Sequence, residues 1–380
     1  MNRNVKHIFI LFTSLHFLFY QCSSPFEPDM EEIADPENEI VKEMNANDIP
    51  SLAAWIIKED SIVWEKYYGY ADINSNRLAD KNTIYGLASI SKLVVVTAVM
   101  QLYEQGLIDL NTDINSYLPF EVRNPNFPDD KITPYHLLTH SSGLSKPKDD
   151  YEVPGYYTHY PLDYAPPLSE WLPQFIIPGG ANYVSSIWKN SRPGEREEYS
   201  NVGCAILAYA VEVISDLDFS EYCKQNIFEP LEMFNTSYKY ADLSTNNLAT
   251  LYEQPNHPIG FYGYRCYPSG DLKTTIDDFS YFIIAYMNGG QYKNNRILEE
   301  STVRQILTIQ NPASGICLIW DCSVGDWFGH TGGKPGIATC VEFQRETKVA
   351  LMIAINYHNS LVYPGNNIHA LVRRIAQKYY

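Results

Sequence analysis

The chain has 380 residues, 45% of them hydrophobic and 19% charged, and its 45 acidic against 28 basic side chains give a formal net charge of −17. That length exceeds the roughly 250–300 residues at which one core stops growing, so two lobes are expected. The acidic balance repels phosphate backbones and anionic headgroups, and no basic cluster with interleaved aromatics offsets it, which argues against nucleic acid as a partner.

At the N-terminus Arg3, Lys6 and His7 precede the apolar run Ile8–Tyr20. A bilayer span takes about 20 residues, so this shorter run behind a basic flank reads as a secretory signal over 1–21 and predicts export to the periplasm or outer envelope. Cys22 follows directly. Two outcomes stay open there: lipidation of Cys22, which would be the chain's one membrane contact, or simple cleavage. Residues 22–45 are acidic and contain Pro, and are expected to form a solvated tether.

Residues 46–380 are expected to form the folded domain. Ser51–Ile57 and Ser61–Tyr70 are apolar, β-branched and aromatic around Lys58-Glu59-Asp60, the pattern of a β-hairpin. Ile84–Glu104 has helical periodicity, with Gly106 as its stop. Pro119–Lys131 reads as loop, Pro134–Leu138 as a short helix, and Lys146–Gly180, rich in Pro, Tyr and Trp, as a long insertion loop. Val202–Ser215 and Phe219–Phe228 are expected to be helices, Ile316–Trp320, Ile337–Gln344 and Val349–Asn356 strands, and Asn367–Tyr380 a closing amphipathic helix. Strands thus lie at both ends of the domain and helices between them. The expected fold class is an α/β (α+β) sandwich. One antiparallel sheet from the N- and C-terminal segments is covered by helices, with a mostly helical lobe inserted over roughly 105–265 and a site at the seam.

Apart from Cys22 there are six cysteines: Cys204, Cys223, Cys266, Cys317, Cys322 and Cys340. Disulfides and free buried thiols are both open readings.

Three segments carry candidate chemistry. In Leu87-Ala-Ser89-Ile-Ser-Lys92, residues three apart on a helix share a face, so Ser89 and Lys92 can meet. A serine hydroxyl needs a neighbour to take its proton, and a desolvated lysine with lowered pKa can do so. The bland alternative for Ser89 is a helix cap. In Tyr199-Ser-Asn201-Val-Gly203, the phenol and the amide precede an apolar helix and can share a pocket. An unperturbed phenol titrates near 10, so Tyr199 needs an adjacent cation to act as a base, and Lys92 would supply it. The alternative is a core tyrosine with a turn asparagine. In His330-Thr-Gly332-Gly333, glycines let the backbone approach a substrate and an amide can serve an oxyanion. His330 has no second His or acid at ligand spacing, so no metal is expected.

Ser-x-x-Lys, Tyr-x-Asn and His-x-Gly in this order resemble the serine β-lactamase and penicillin-binding-protein superfamily, in its class C β-lactamase-related branch. Leu137-Leu-Thr-His140-Ser-Ser-Gly143-Leu144, Ile227-Phe-Glu-Pro-Leu-Glu-Met233 and Ser269-Gly-Asp-Leu-Lys-Thr-Thr-Ile-Asp-Asp278 support the resemblance, which covers about Asn45 to Tyr380. It implies a serine hydrolase without cofactor. Ser89 would be the acylated nucleophile, Lys92 its proton partner, and Tyr199 the base that also protonates the leaving group. Asn201 and His330 would orient substrate with Gly332, and the Gly333 amide would be the oxyanion donor. His140 is expected to be structural, holding a loop. His330 stands where the antibiotic-hydrolysing members carry Lys, which points to an esterase or a D-peptidase-like enzyme. Cys204 at a usually aromatic position, the charged Glu195–Glu198 run and the Lys146–Gly180 insertion leave specificity open. The expected partner is a small-molecule or peptide substrate. A non-catalytic cell-envelope binding protein on the same fold is the alternative.

Overall fold

Seven consecutive residues, Ser51 to Ile57, are buried on both faces of the strand that they form, which requires cover above and below and a neighbour on each side. The computed structural model, which describes residues 35–145, 166–254, 257–263, 265–323 and 325–380, provides both. Strand β1 (Ser51–Lys58) pairs antiparallel with β2 (Ser61–Asp72), which pairs with the short β3 (Arg77–Leu78). Ile84–Gly86 is β4 and Lys273–Thr275 is β5, an antiparallel pair outside the main sheet. Near the C-terminus come β6 (Asp321–Ser323), β7 (Trp327–Lys334), β8 (Ile337–Gln344) and β9 (Val349–Ile355). The seven-stranded sheet runs β6-β7-β8-β9-β1-β2-β3. Ala54 faces Lys66 on one side and Ile353 on the other, so the first hairpin is joined to the last strand.

Helices fill the rest. Helix α1 (Pro36–Ala46) packs with the C-terminal helix Asn367–Ala376. Helix α2 (Lys92–Glu104) is buried all round from Lys92 to Leu102 and is the core of the molecule. Helices α3 (Pro134–Leu138), α4 (Leu168–Ile176), α5 (Asn201–Ser215) and α6 (Phe219–Cys223) make the inserted lobe. Helix α7 (Ile276–Met287) covers the sheet and receives the Trp55 indole N–H on the Ile276 carbonyl at 2.7 Å. This mixture of helices and one antiparallel sheet is the expected fold class.

Several elements differ from expectation. The stretch from Pro36 to Ala46 is helix, not tether. Its acidic residues are an N-terminal signal, with Asp35 accepting the Asn38 N–H, Pro36 in the first turn, Glu37 and Glu39 beside the positive dipole end, and Ile40 and Met44 buried. The signal at 1–21 and Cys22 lie outside the described residues. The Ile84–Glu104 helix is really β4, a 3₁₀ turn over Ala88–Ser91, and α2 from Lys92. Within Lys146–Gly180, Leu168, Trp171, Leu172 and Phe175 bury one helical stripe despite Pro173. Residues 146–165 lie outside the described residues. Phe219–Phe228 is helical only to Cys223 and then widens into a π turn. Ile316–Trp320 is no strand. Its five side chains are buried, but Ile319 has φ +67° and the chain turns there, because an apolar run reports burial rather than extension. The closing helix is regular over Asn367–Ala376 and ends in a 3₁₀ turn. The six cysteines among the described residues are free thiols.

The closing helix is tied to the sheet by a buried cluster of a carboxylate, an imidazole and a guanidinium. Glu342 on β8 accepts from His369 Nε2 at 3.0 Å, with Arg373 3.7 Å away. Removing the imidazole takes away that hydrogen bond and leaves the buried carboxylate with Arg373 alone. His369→Leu is therefore expected to lose about 3 kcal/mol of stability, read as a lower urea midpoint at unchanged slope. An unchanged midpoint would show that the cluster holds nothing.

Candidate active site

The residue before Ser89 is forced into an uncommon shape. Ala88 has φ +47°, in the left-handed region that costs a non-glycine residue roughly 1–2 kcal/mol. Four bonds hold it there. The Leu87 N–H reaches the Leu272 carbonyl at 2.8 Å, and Thr339 Oγ1 donates to the Leu87 carbonyl at 2.9 Å. Ser91 Oγ donates to the Ala88 carbonyl at 2.6 Å and accepts the Leu272 N–H at 3.0 Å. The Ala88–Ser91 turn is thus clamped between β8 and the segment entering β5, and presents Ser89 at the head of α2.

Lys92 is fully buried, yet both its neighbours are neutral oxygens. Its Nζ lies 2.9 Å from Ser89 Oγ and donates to the Ser269 carbonyl at 2.7 Å. Burial pushes its pKa down to about 8, and the charge on Lys334 pushes the same way. In the neutral amine one N–H serves Ser269 and the lone pair is available to the Ser89 proton. The arrangement can therefore deprotonate a hydroxyl near neutral pH.

Tyr199 is 41% exposed, and its ring centroid lies 4.9 Å from Lys92 Nζ. It precedes Ser200, whose hydroxyl caps α5 by accepting the Gly203 N–H at 3.0 Å, and Asn201 opens that helix. Two imidazoles flank the phenol, His140 with ring centroids 4.6 Å apart and His330 at 6.4 Å. Burial, followed by the Lys92 charge, pushes His330 down to about 4 and His140 to about 3, so both are neutral at pH 7. His330 Nδ1 lies 2.5 Å from the Thr331 carbonyl, which can only accept, so the proton sits on Nδ1 and Nε2 is an acceptor.

β7 carries His330, Gly332 and Gly333 past the Ala88–Ser91 turn. A Cβ on Gly332 would lie 2.2 Å from the Leu87 carbonyl oxygen and 2.3 Å from Thr339 Oγ1, so only glycine lets strand and turn touch. A Cβ on Gly333 would meet Tyr363 Oη at 2.3 Å on the other face. Lys334, next along, forms an ion pair with the buried Asp271.

The structure thus gathers Ser89, Lys92, Tyr199 and His330 around one point and sets Gly332 against the turn. Sequence reasoning missed the Ser269 carbonyl, the Lys334–Asp271 pair and the closeness of His140 to Tyr199. Asp271 lies in a stretch singled out beforehand, but a carbonyl that receives an ammonium leaves no mark in side-chain identities. Among the described residues no group of His, Cys, Asp or Glu is arranged to hold a metal ion.

Similar proteins include Beta-lactamase-like protein 2 of Dictyostelium discoideum, 28% identical over 330 residues that make up 81% of this chain and 56% of that protein. Protein flp of Staphylococcus aureus (strain N315) is 23% identical over 285 residues, 72% of this chain and 52% of that protein. The chain spans about half the length of these curated relatives. Among solved structures, the octameric penicillin-binding protein homologue from Pyrococcus abyssi aligns with TM-score 0.70 at 21% identity, covering 91% of this chain and 78% of that one. A penicillin-binding protein from Bacillus halodurans aligns with TM-score 0.68 at 21% identity, covering 89% and 99%. Both share the fold. The Beta-lactamase family model matches residues 37–372, nearly the whole described domain, and the chain belongs to that family.

Proposed function

We propose that the protein is a serine hydrolase that cleaves an ester or amide through an acyl-enzyme on Ser89. One observation carries this reading: a fully buried lysine amine stands 2.9 Å from a serine hydroxyl at the head of a helix, with its pKa lowered to about 8. A buried ammonium is costly, and a merely structural lysine would seek a carboxylate.

In this reading Lys92 takes the Ser89 proton as Oγ bonds to the substrate carbonyl carbon. The oxygen that becomes negative is received by the Ser89 and Gly333 amides. As the tetrahedral intermediate collapses, the bond to the leaving group breaks and Tyr199 gives its phenolic proton to that group, becoming a phenolate. A water then loses its proton to the Tyr199 phenolate and attacks the acyl carbon, and as this second intermediate collapses the Lys92 ammonium gives its proton back to Ser89 Oγ and a carboxylic acid leaves. Asn201 and His330 orient the substrate, His330 as an acceptor. A neutral His330 and a Lys334 already paired with Asp271 favour a carbonyl without a required carboxylate partner, an ester or a D-peptide-like amide. The basic and apolar N-terminal run supports export, with Cys22 as the residue to be lipidated or exposed by cleavage.

A fluorophosphonate should add one covalent adduct at Ser89, and Ser89→Ala should lose both the adduct and about 10³-fold or more of turnover on a panel of nitrophenyl esters, nitrocefin and D-amino-acid peptides. Folded parent protein that shows no adduct by intact mass would refute the nucleophile. Because the ammonium cannot accept a proton, kcat/KM should rise with pH and level off above about 8, falling roughly tenfold per unit below it. A flat profile between pH 6 and 9 would remove Lys92 from the role. Gly332→Ala should push the strand off the turn and cost about 10²-fold in kcat, while parent-like kcat would show that this contact is not needed.

A further inference from the structure

We propose that His140 is a positioning residue for Tyr199, holding the phenol over Lys92 without touching the substrate. This rests on the acyl-enzyme reading and extends it to a residue outside the three motifs.

The backbone around His140 calls for a different residue. Helix α3 ends in a turn where the Ser141 N–H bonds the His136 carbonyl at 2.7 Å and the His140 N–H bonds the Leu137 carbonyl at 3.3 Å. That pair of bonds is the Schellman ending, whose left-handed residue is usually glycine or asparagine. Here the residue is a histidine with φ +51°, only 2% exposed. A cap alone gains nothing from an imidazole, since glycine would adopt the turn without strain.

The side chain and its carbonyl have a common target. The His140 carbonyl accepts the Glu198 N–H at 2.6 Å, and Nδ1 faces the Ser200 N–H at 3.4 Å, a long contact. These two amides flank Tyr199 in the chain. Between them the His140 ring lies against the Tyr199 ring, with centroids 4.6 Å apart. The residue therefore grips the segment before, at and after the phenol. With Nδ1 accepting, the ring proton is on Nε2, which has no hydrogen-bond partner among the described residues. The groups that face Tyr199 include two neutral imidazoles, His140 and His330, and one amine, Lys92. A neutral ring can fix the phenol without competing with Lys92 for its charge.

His140→Gly separates the two roles, because it keeps the turn and the carbonyl clamp and removes only the ring. The expected result is an unfolding temperature no lower than the parent's, KM within twofold, kcat down by about tenfold, and a displaced rising limb in the pH profile. His140→Asn tolerates the left-handed turn and offers Oδ1 to the Ser200 amide, so it should recover part of the loss. A folded His140→Gly with parental kcat and parental pH limb would overturn the proposal. Should the glycine variant fail to fold, His140→Asn decides: parental kcat and limb, without the ring, would overturn it equally. Fluorophosphonate labelling of Ser89 in the parent is run alongside, so that failure of the acyl-enzyme reading is seen separately.

Discussion

The architecture is organised around a lysine placed where an ammonium is least welcome. Lys92 has no exposed surface, and its contacts are a hydroxyl, a carbonyl and the face of a phenol. Desolvation favours the uncharged amine, and only an uncharged amine has a lone pair to give. Every nearby constraint keeps those neutral partners in place. The Ser269 carbonyl comes from the 3₁₀ turn Tyr267–Ser269, held by bonds from the Ser269 hydroxyl and N–H back to the Cys266 carbonyl. The hydroxyl comes from a turn whose strained Ala88 is fixed by Thr339 and Ser91. A strained backbone persists only where its surroundings over-determine it, and here strands from distant parts of the chain do so.

That dependence explains the sheet. Thr339 and Gly332 sit opposite each other in the β7–β8 ladder, and both touch the Leu87–Ala88 peptide region, Thr339 by donating a bond and Gly332 by lacking a side chain. The C-terminal strands therefore act directly on the N-terminal turn that carries Ser89. Joining the chain ends in one sheet is what allows this, because β1 lies between β2 and β9.

The spacing of Ser89 and Lys92 was legible, although the reason was slightly different from the one expected. The serine is in a 3₁₀ turn and the α-helix begins only at Lys92, but residues three apart also eclipse in a 3₁₀ turn, so the inference survives the change of helix. The first hairpin and the strands Ile337–Gln344 and Val349–Ile355 were legible from apolar and β-branched runs. Less legible were elements whose composition had a second reading. The acidic stretch before Asn47 looks like a tether until Asp35 is seen as a cap, and Ile316–Trp320 looks like a strand until Ile319 turns. His140 was set aside as a loop holder because its significance lies in a dihedral angle and in two amides almost 60 residues away. Neither is written in residue types.

His330 shows how a single proton position shapes what such a site can favour. The Thr331 carbonyl has no proton to give, so the imidazole must donate from Nδ1 and keep Nε2 bare. Burial and the neighbouring Lys92 charge both oppose a second proton. A cation at this point on β7 would attract an anionic group of a substrate, whereas a bare nitrogen repels one and accepts a hydroxyl or amide hydrogen instead. The nearby lysine on the same strand, Lys334, is engaged with Asp271 and offers no replacement charge. Strand alternation puts residues 330, 332 and 334 on one face, so the acceptor, the gap and the neutralised cation follow one another along the wall beside Ser89. On the proposed reading, such a wall suits a substrate that brings its own hydrogen-bond donor and no obligatory negative charge.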